Sequence, residues 1–444
     1  MTYRIAIVGS GIAGLSAAHT LGKHPHVEVS LFEANDYFGG HTHTVDIQAQ
    51  TPRGIESYPV DTGFLVFNER TYPKLIALFD ELNIPSAYSD MSFSVQAPKQ
   101  NSTTLEWSGT SLNSVFCQRA NLFSKPFWSM LKDLIRFNKL TTQLAQTGES
   151  EELNIALHLF LEQHKFSAEF INWYLLPMLG CIWSCPPDQM LAFSLATMIR
   201  FCHNHGLLQI TNRPKWYTVA GGAKQYVSAI TEQLRKAYLN TPILGIERSE
   251  HKITLLSSKG PEVFDRVILA THADQALRLL DKPSSEESRL LGAFKFKDNV
   301  AVLHKDAKVL PSKQIAWAAW NFESAASANH PSTIPISDDV LSTSNVCLHY
   351  YLNKLQPLPF TEPVVVSLNP IREINPSKIA ASFNYSHPVF DLSSIASQKE
   401  MHKIQGNLNT WFAGAWLGYG FHEDGLKAGE AAAQAVLGTL EIQG

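Results

Sequence analysis

Charged residues are scarce in this chain of 444 residues: Asp, Glu, Lys and Arg make up 17% of it, against 45% hydrophobic residues. An average soluble protein carries roughly 25% charged residues. The shortfall excludes disorder as the main state and predicts extensive burial, an apolar ligand site, or a surface that meets another apolar body. Basic runs are absent too, and the formal net charge is −4, so nothing offers a footprint for a phosphate backbone and no nucleic-acid partner is expected. Cysteine is sparse: Cys117, Cys181, Cys185, Cys202 and Cys347 form an odd set without framework spacing, which predicts reduced, mostly buried thiols. No apolar run reaches the roughly 18 residues needed to span a bilayer. A strand-like run starts at Tyr3 and leaves no room for a cleavable leader. The expected location is therefore cytoplasmic, with room left for peripheral contact with a membrane surface. At roughly 150 residues per domain, the length predicts two or three domains.

What is present begins at once. Arg4 to Val8 reads as a buried parallel strand, Gly9-Ser10-Gly11-Ile12-Ala13-Gly14 as a glycine turn, and Leu15 to Leu21 as a helix. Val27 to Phe32 follows as a second strand, with Glu33 at its carboxyl end. In such a unit the first glycine permits the tight turn, the second lets backbone approach a pyrophosphate, and the third lets helix pack on strand. The helix start presents free N–H groups and about half a positive charge to the phosphates. Glu33 stands roughly 20 residues beyond Gly14, where a carboxylate accepts ribose hydroxyls and would repel a 2′-phosphate. NAD and FAD both remain open at this point.

The continuation Ala34-Asn35-Asp36-Tyr37-Phe38-Gly39-Gly40-His41-Thr42 adds a second glycine pair, as expected when a longer ligand runs on toward a flavin. Here the sequence resembles the superfamily of FAD-dependent amine oxidases and carotenoid desaturases. Within it the chain looks closest to predicted bacterial FAD/NAD-binding, amine-oxidase-like oxidoreductases. Three later segments fit the resemblance: Asp61-Thr62-Gly63-Phe64 as the aspartate-glycine turn, Val219 to Ala223 with a helical stretch 224–238 as a re-entry, and Phe264 to Thr271 as an apolar strand. Near the C-terminus, Trp411 to Trp416 reads as a strand, Gly418 to Gly425 as a turn, and Leu426 to Ala435 as a small-residue helix. In the family that helix start meets the pyrimidine end of the flavin, where a positive helix end stabilises negative charge.

The fold class implied is α/β: a Rossmann-type FAD-binding domain with a discontinuous α+β substrate domain. The cofactor domain is expected from 1–74, 211–284 and 400–444, and the substrate domain from 75–210 and 285–399. The latter stretches are richer in aromatic residues, with broad-faced helices expected at 127–135 and 170–176 and a surface loop at 322–340. Cofactor contacts are expected at Gly9, Gly11, Ile12, Ala13, Gly14, Glu33, Ala34, Gly39, Gly40, His41, Thr42, Asp61, Gly63, Gly414, Glu423, Asp424 and Gly425. Trp416, Tyr419, Phe421 and His422 are candidates for lining the substrate cavity.

No metal site is expected, because the pairs His41/His43 and His203/His205 lack a further ligand at metal spacing. Cys181-x3-Cys185 is not the redox spacing and reads as a packed turn. No nucleophile motif occurs. Two departures weaken an amine substrate: the stretch 296–302 gives no confident counterpart of the family's lysine near flavin N5, and Ala415 follows Gly414 where an acid is often found. Hydride transfer between a substrate C–H bond and flavin N5, on an apolar chain such as a fatty acyl or isoprenoid group, is the expected reaction. Flavin amine oxidation, a flavin-free lipid-binding chaperone, and a nicotinamide-dependent reductase are the alternatives.

Overall fold

The computed structural model describes residues 2–98, 103–147, 153, 155–183, 190–208, 214–324 and 346–441. Cys185 and most of the expected loop 322–340 lie outside them. Two sheets organise the chain. Strands β1 (Tyr3–Val8) and β2 (Val27–Phe32) flank helix α1 (Ile12–Gly22). They belong to a five-stranded, all-parallel sheet in the order 236–238, β2, β1, 266–269, 410–412. The chain leaves β1 toward β2 on one side and returns later on the other, so the carboxyl end of β1 is the switch point of the sheet. The last four residues of β1 and of β2 are buried, as near-continuous apolar strands covered on both faces must be. One face packs on α1 and the C-terminal helix His422–Glu441, the other under the antiparallel meander of 243–264.

The second sheet has seven strands and is mixed, in the order 379–389, 295–304, 365–368, 347–351, 320–323, 93–98, 104–108. Only the pair 320–323 and 93–98 runs parallel. Its apolar face meets helix α4 (Lys125–Thr147) and the helices of 176–183 and 195–204, around Phe127, Phe137, Phe160 and Phe170. Each of these rings is fully buried, at about 2–3 kcal/mol of transfer free energy apiece. After β2 the chain forms a hairpin, β3 (Thr44–Thr51) with β4 (Gly54–Asp61), which leads to helix α2 (Pro73–Glu81).

Three local expectations are corrected. The stretch 224–238 is a helix only over Lys224–Thr231; Lys236–Tyr238 pairs with β2, because the open sheet edge overrides helix propensity. The strand expected at 411–416 is limited to Thr410–Phe412, because its partner strand ends at Leu269, opposite Phe412. The C-terminal helix starts at His422 rather than Leu426: Asp424 accepts the N–H groups of Tyr419 and Phe421, both at 3.0 Å, and so fixes the loop into its first turn.

Candidate active site

The crevice at the carboxyl end of β1 is shaped by missing side chains. Gly9 turns the chain with φ +98°, and a Cβ there would lie 2.6 Å from the Ala270 carbonyl oxygen. A Cβ on Gly14 would sit 1.9 Å from the Gly9 oxygen, and one on Gly40 would sit 3.2 Å from Gly11 Cα. Gly11 is different: a Cβ there would meet no protein atom within 4 Å. Leu15 N–H makes the first intrahelical bond, to Gly11 O at 2.9 Å, so the N–H groups of Ile12, Ala13 and Gly14 have no acceptor inside the helix. The side chain of Ile12 and the backbone of Ala13 are spent on packing against Gly425 and Gly429 of the C-terminal helix.

Glu33 is buried at the end of β2. One carboxylate oxygen accepts Ser10 N–H (3.0 Å) and Ser10 hydroxyl (2.5 Å), and the other accepts Asn35 N–H and its side-chain amide (both 3.0 Å). Gly39 N–H donates to Ser10 Oγ at 3.1 Å, so the two glycine turns are tied through one serine. Ala34 is exposed at the rim.

From Gly40 the chain runs as His41-Thr42-His43 beside Thr62-Gly63-Phe64. Phe64 N–H donates to His41 O (2.8 Å) and Thr62 N–H to His43 O (2.9 Å). A Cβ on Gly63 would lie 2.2 Å from His41 O. Asp61 is buried and pins three segments: it accepts from Thr44 Oγ1 (2.5 Å), from Ala223 N–H at the start of the 224–231 helix (3.0 Å) and from Gln356 Nε2 (3.0 Å). Desolvation nonetheless raises its pKa to about 6.

Two side-chain clusters flank this run. In the first, Thr42 Oγ1, Tyr226 OH and His422 Nε2 lie 2.5–2.9 Å apart, and the His422 ring stacks on Phe64 at 3.7 Å. In the second, the His41 ring lies 5.2 Å from Tyr385, 5.2 Å from His387 and 6.3 Å from His272. Tyr385 OH reaches Thr62 Oγ1 (2.7 Å) and His43 Nδ1 (3.1 Å), His387 Nδ1 meets Asn299 Nδ2 (2.9 Å), and His272 stacks on Phe296. Desolvation holds every one of these imidazoles neutral: His422 falls to about 3, His387 to about 4, His272 below its usual value, and His41 well below it, helped by the neighbouring histidines. His41 Nε2 is buried with no hydrogen-bond partner.

The C-terminal candidates separate. Glu423 accepts Lys74 N–H (3.1 Å) and Leu75 N–H (3.0 Å), so it caps α2. Asp424 holds the 419–421 loop, and desolvation raises its pKa. A Cβ on Gly414 would collide with the Trp416 ring at 2.2 Å. Trp416 is a correction to the expected cavity set: it packs on Phe294 in the core of the parallel sheet and donates its indole N–H to Thr271 O (3.0 Å). Phe421 stacks on Phe201 at 4.7 Å, with Tyr419 6.2 Å from the same ring, so both belong to an aromatic group that includes His205 and Trp183. Sequence reasoning missed Phe64, Tyr226, His272, Asn299, Tyr385 and His387. Phe64 ends the aspartate-glycine turn, Tyr226 and Asn299 lie within stretches the sequence singles out, and His272 follows the strand 266–269; Tyr385 and His387 stand beside no motif.

Among the described residues, metal-type ligands converge only at Glu323, Cys347 and His349 in the mixed sheet. Asp306 N–H donates to His304 Nδ1 (3.0 Å), so His304 donates from Nε2 to Ser367 Oγ (2.7 Å). Ser367 then donates to His349 Nδ1 (2.6 Å) and His349 to Glu323 (3.0 Å), whose other oxygen takes Arg372 Nε (2.6 Å). Each acceptor in this chain is satisfied without a cation, so it fastens four strands together. The four described cysteines are free thiols, three of them buried.

The open space over Gly11, the unbonded helix-start N–H groups and the orphaned His41 nitrogen fit a dinucleotide that continues past Gly40. Comparison with known proteins agrees. A protein of Mycobacterium tuberculosis named as a flavin-containing monoamine oxidase is 26% identical over 284 residues, covering 61% of this chain and 57% of that protein's length. Cyclohexylamine oxidase from Brevibacterium oxydans shares the fold, with a TM-score of 0.66 at 17% identity and coverage of 99% and 100%. So does the CLA-producing fatty acid isomerase from P. acnes, with a TM-score of 0.64 at 13% identity and 98% coverage of both chains. Residues 12–333 match the description "Flavin containing amine oxidoreductase", and the chain belongs to that family of FAD-binding oxidoreductases.

Proposed function

We propose that this flavin oxidoreductase acts on an apolar, lipid-like substrate as a desaturase or saturase. Bound FAD supplies the hydride acceptor or donor at N5. Gly9, Gly11, Ile12, Ala13 and Gly14 would hold its pyrophosphate through backbone, Glu33 and the rim at Ala34 its ribose, and Gly39, Gly40, His41, Thr42 and Gly63 the run toward the ring. Gly414 and Gly425 would let the C-terminal helix start approach, while Asp61, Glu423 and Asp424 act through the backbone they fix. The division of the chain into 1–74, 211–284 and 400–444 for cofactor, with 75–210 and 285–399 for substrate, belongs to the same reading.

One observation carries the substrate class. The imidazoles around the His41 run are neutral, their neighbours are Phe64, Phe296 and Tyr385, and the carboxylates of Glu33, Asp61, Glu423 and Asp424 are already taken up by hydrogen-bond donors of the protein. An ammonium group would find no free counter-charge among these four carboxylates, whereas an apolar chain needs none. The residues' task is to orient a C–H bond and exclude water. The names of several relatives favour an amine instead, which makes the two readings directly separable. Anaerobic mixing of the holoprotein with fatty acyl or isoprenoid chains should bleach the oxidised flavin spectrum, or, in the saturase direction, an unsaturated chain should reoxidise the chemically reduced enzyme. Bleaching by simple amines alone would establish amine oxidation. A colourless protein that takes up no FAD would point to a lipid-binding chaperone.

A further inference from the structure

The mixed-sheet layer carries an apolar surface that the redox site does not use. It lies on α3 (Leu112–Val115), on the short helical turn Arg119–Phe123 and on the start of α4. Phe123 is 90% exposed, Leu112 81%, Trp128 50% and Leu122 41%. The segments that carry them are neighbours: Trp128 donates its indole N–H to Leu122 O at 2.9 Å, Arg119 bonds to Asn113 beside Leu112, and α3 packs against the turn 314–316, which adds the exposed Ile315. Beneath them the patch rests on the buried rings of Phe116 and Phe127, so it is a rigid platform.

Charge decides what this platform meets. The stretch 107–132 holds Arg119, Lys125 and Lys132 and no carboxylate, in a chain whose net charge is −4. Exposed Lys313 adjoins Ile315. The flanking Glu106 is buried and accepts hydrogen bonds from Ser312 and Lys313 N–H. With the other flanking acid, Asp133, also buried and paired with Arg136, a tryptophan with its N–H satisfied, large apolar side chains at the tip, and a basic stretch without exposed acids is the composition of a surface that inserts into the headgroup zone of an anionic bilayer.

We propose that residues 109–128 dock the enzyme on a bilayer bearing anionic headgroups. The inference stands on this surface alone and is independent of which substrate the flavin serves. The test is flotation of the holoprotein with vesicles of phosphatidylglycerol and phosphatidylcholine against vesicles of phosphatidylcholine only. Wild type should float with the anionic vesicles, more weakly with the neutral ones, and progressively less as salt is raised. The double variant Leu112→Ser/Phe123→Ser, altered only at exposed positions, should lose at least about tenfold in partitioning while keeping its flavin content and thermal midpoint. Lys125→Glu/Lys132→Glu should lose the preference for anionic vesicles. Wild type left unbound by both vesicle types, or a serine double variant that floats like wild type, would overturn the proposal. A lipid-free dimer in sedimentation that the serine variant abolishes would overturn it too, in favour of a second copy of this chain.

Discussion

The two walls of the candidate site are built in opposite ways. The amino-terminal wall, from Gly9 to Gly40, is shaped by backbone and by the absence of side chains, with one carboxylate fixed by Ser10 and Asn35. The facing wall is shaped by side chains from distant segments: His41, His272, Tyr385 and His387. The first wall suits a ligand common to a whole family, because backbone geometry tolerates little variation. The second is made of side chains that can change one at a time, and under the proposed function that is where a substrate is chosen.

The largest effect is expected from Gly14→Ala. Its Cβ would fall 1.9 Å from a backbone oxygen, so the turn must open; a loss of about 3 kcal/mol or more in stability and loss of bound flavin should appear together in thermal melts and absorbance. Acid should strike the buried histidines of the two clusters that flank the His41 run. His387 and His422 titrate near 4 and 3 in the folded protein against about 6.5 unfolded. The unfolded chain therefore binds protons first, and stability is lost as pH falls below about 6.5, at up to roughly 1.4 kcal/mol per pH unit for each group. Melts from pH 7.5 to 5 should show this fall, and His387→Gln should flatten it; an unchanged slope would remove His387 from the account.

Glu33→Gln is expected to weaken FAD binding by on the order of ten- to a hundredfold, as charge-assisted bonds of about 1.5–3 kcal/mol are lost, measured by titrating apoprotein with FAD. Tyr385→Phe, in the facing wall, should keep full flavin content, cost about 1 kcal/mol in stability and lower kcat several-fold. If it lost flavin instead, the contrast between the two walls would be wrong.

This division also explains what the sequence made legible. The glycine turn, α1, β2 and Glu33 are contiguous, and each residue type there answers a local backbone demand, so their order could be read directly. The second wall depends on pairing between the 295–304 and 379–389 strands, where Asn299 stands opposite Tyr385. No local pattern encodes that register. Trp416 was misread for the same reason: its neighbour Phe294 is distant in sequence, and a ring near a motif looks like a lining residue until the packing places it in the core. The early start of the C-terminal helix depends on one carboxylate, Asp424, turning back on Tyr419 and Phe421.

The central claim is that space is kept open over Gly11 for a dinucleotide, and Gly11→Ala tests it most directly. The substituted methyl group would touch no protein atom within 4 Å, and the backbone there is one that alanine adopts freely (φ −61°, ψ 174°). The apoprotein should therefore melt as wild type does, while FAD titration shows at least about a tenfold loss of affinity. An alanine variant that binds FAD as tightly as wild type would contradict the account.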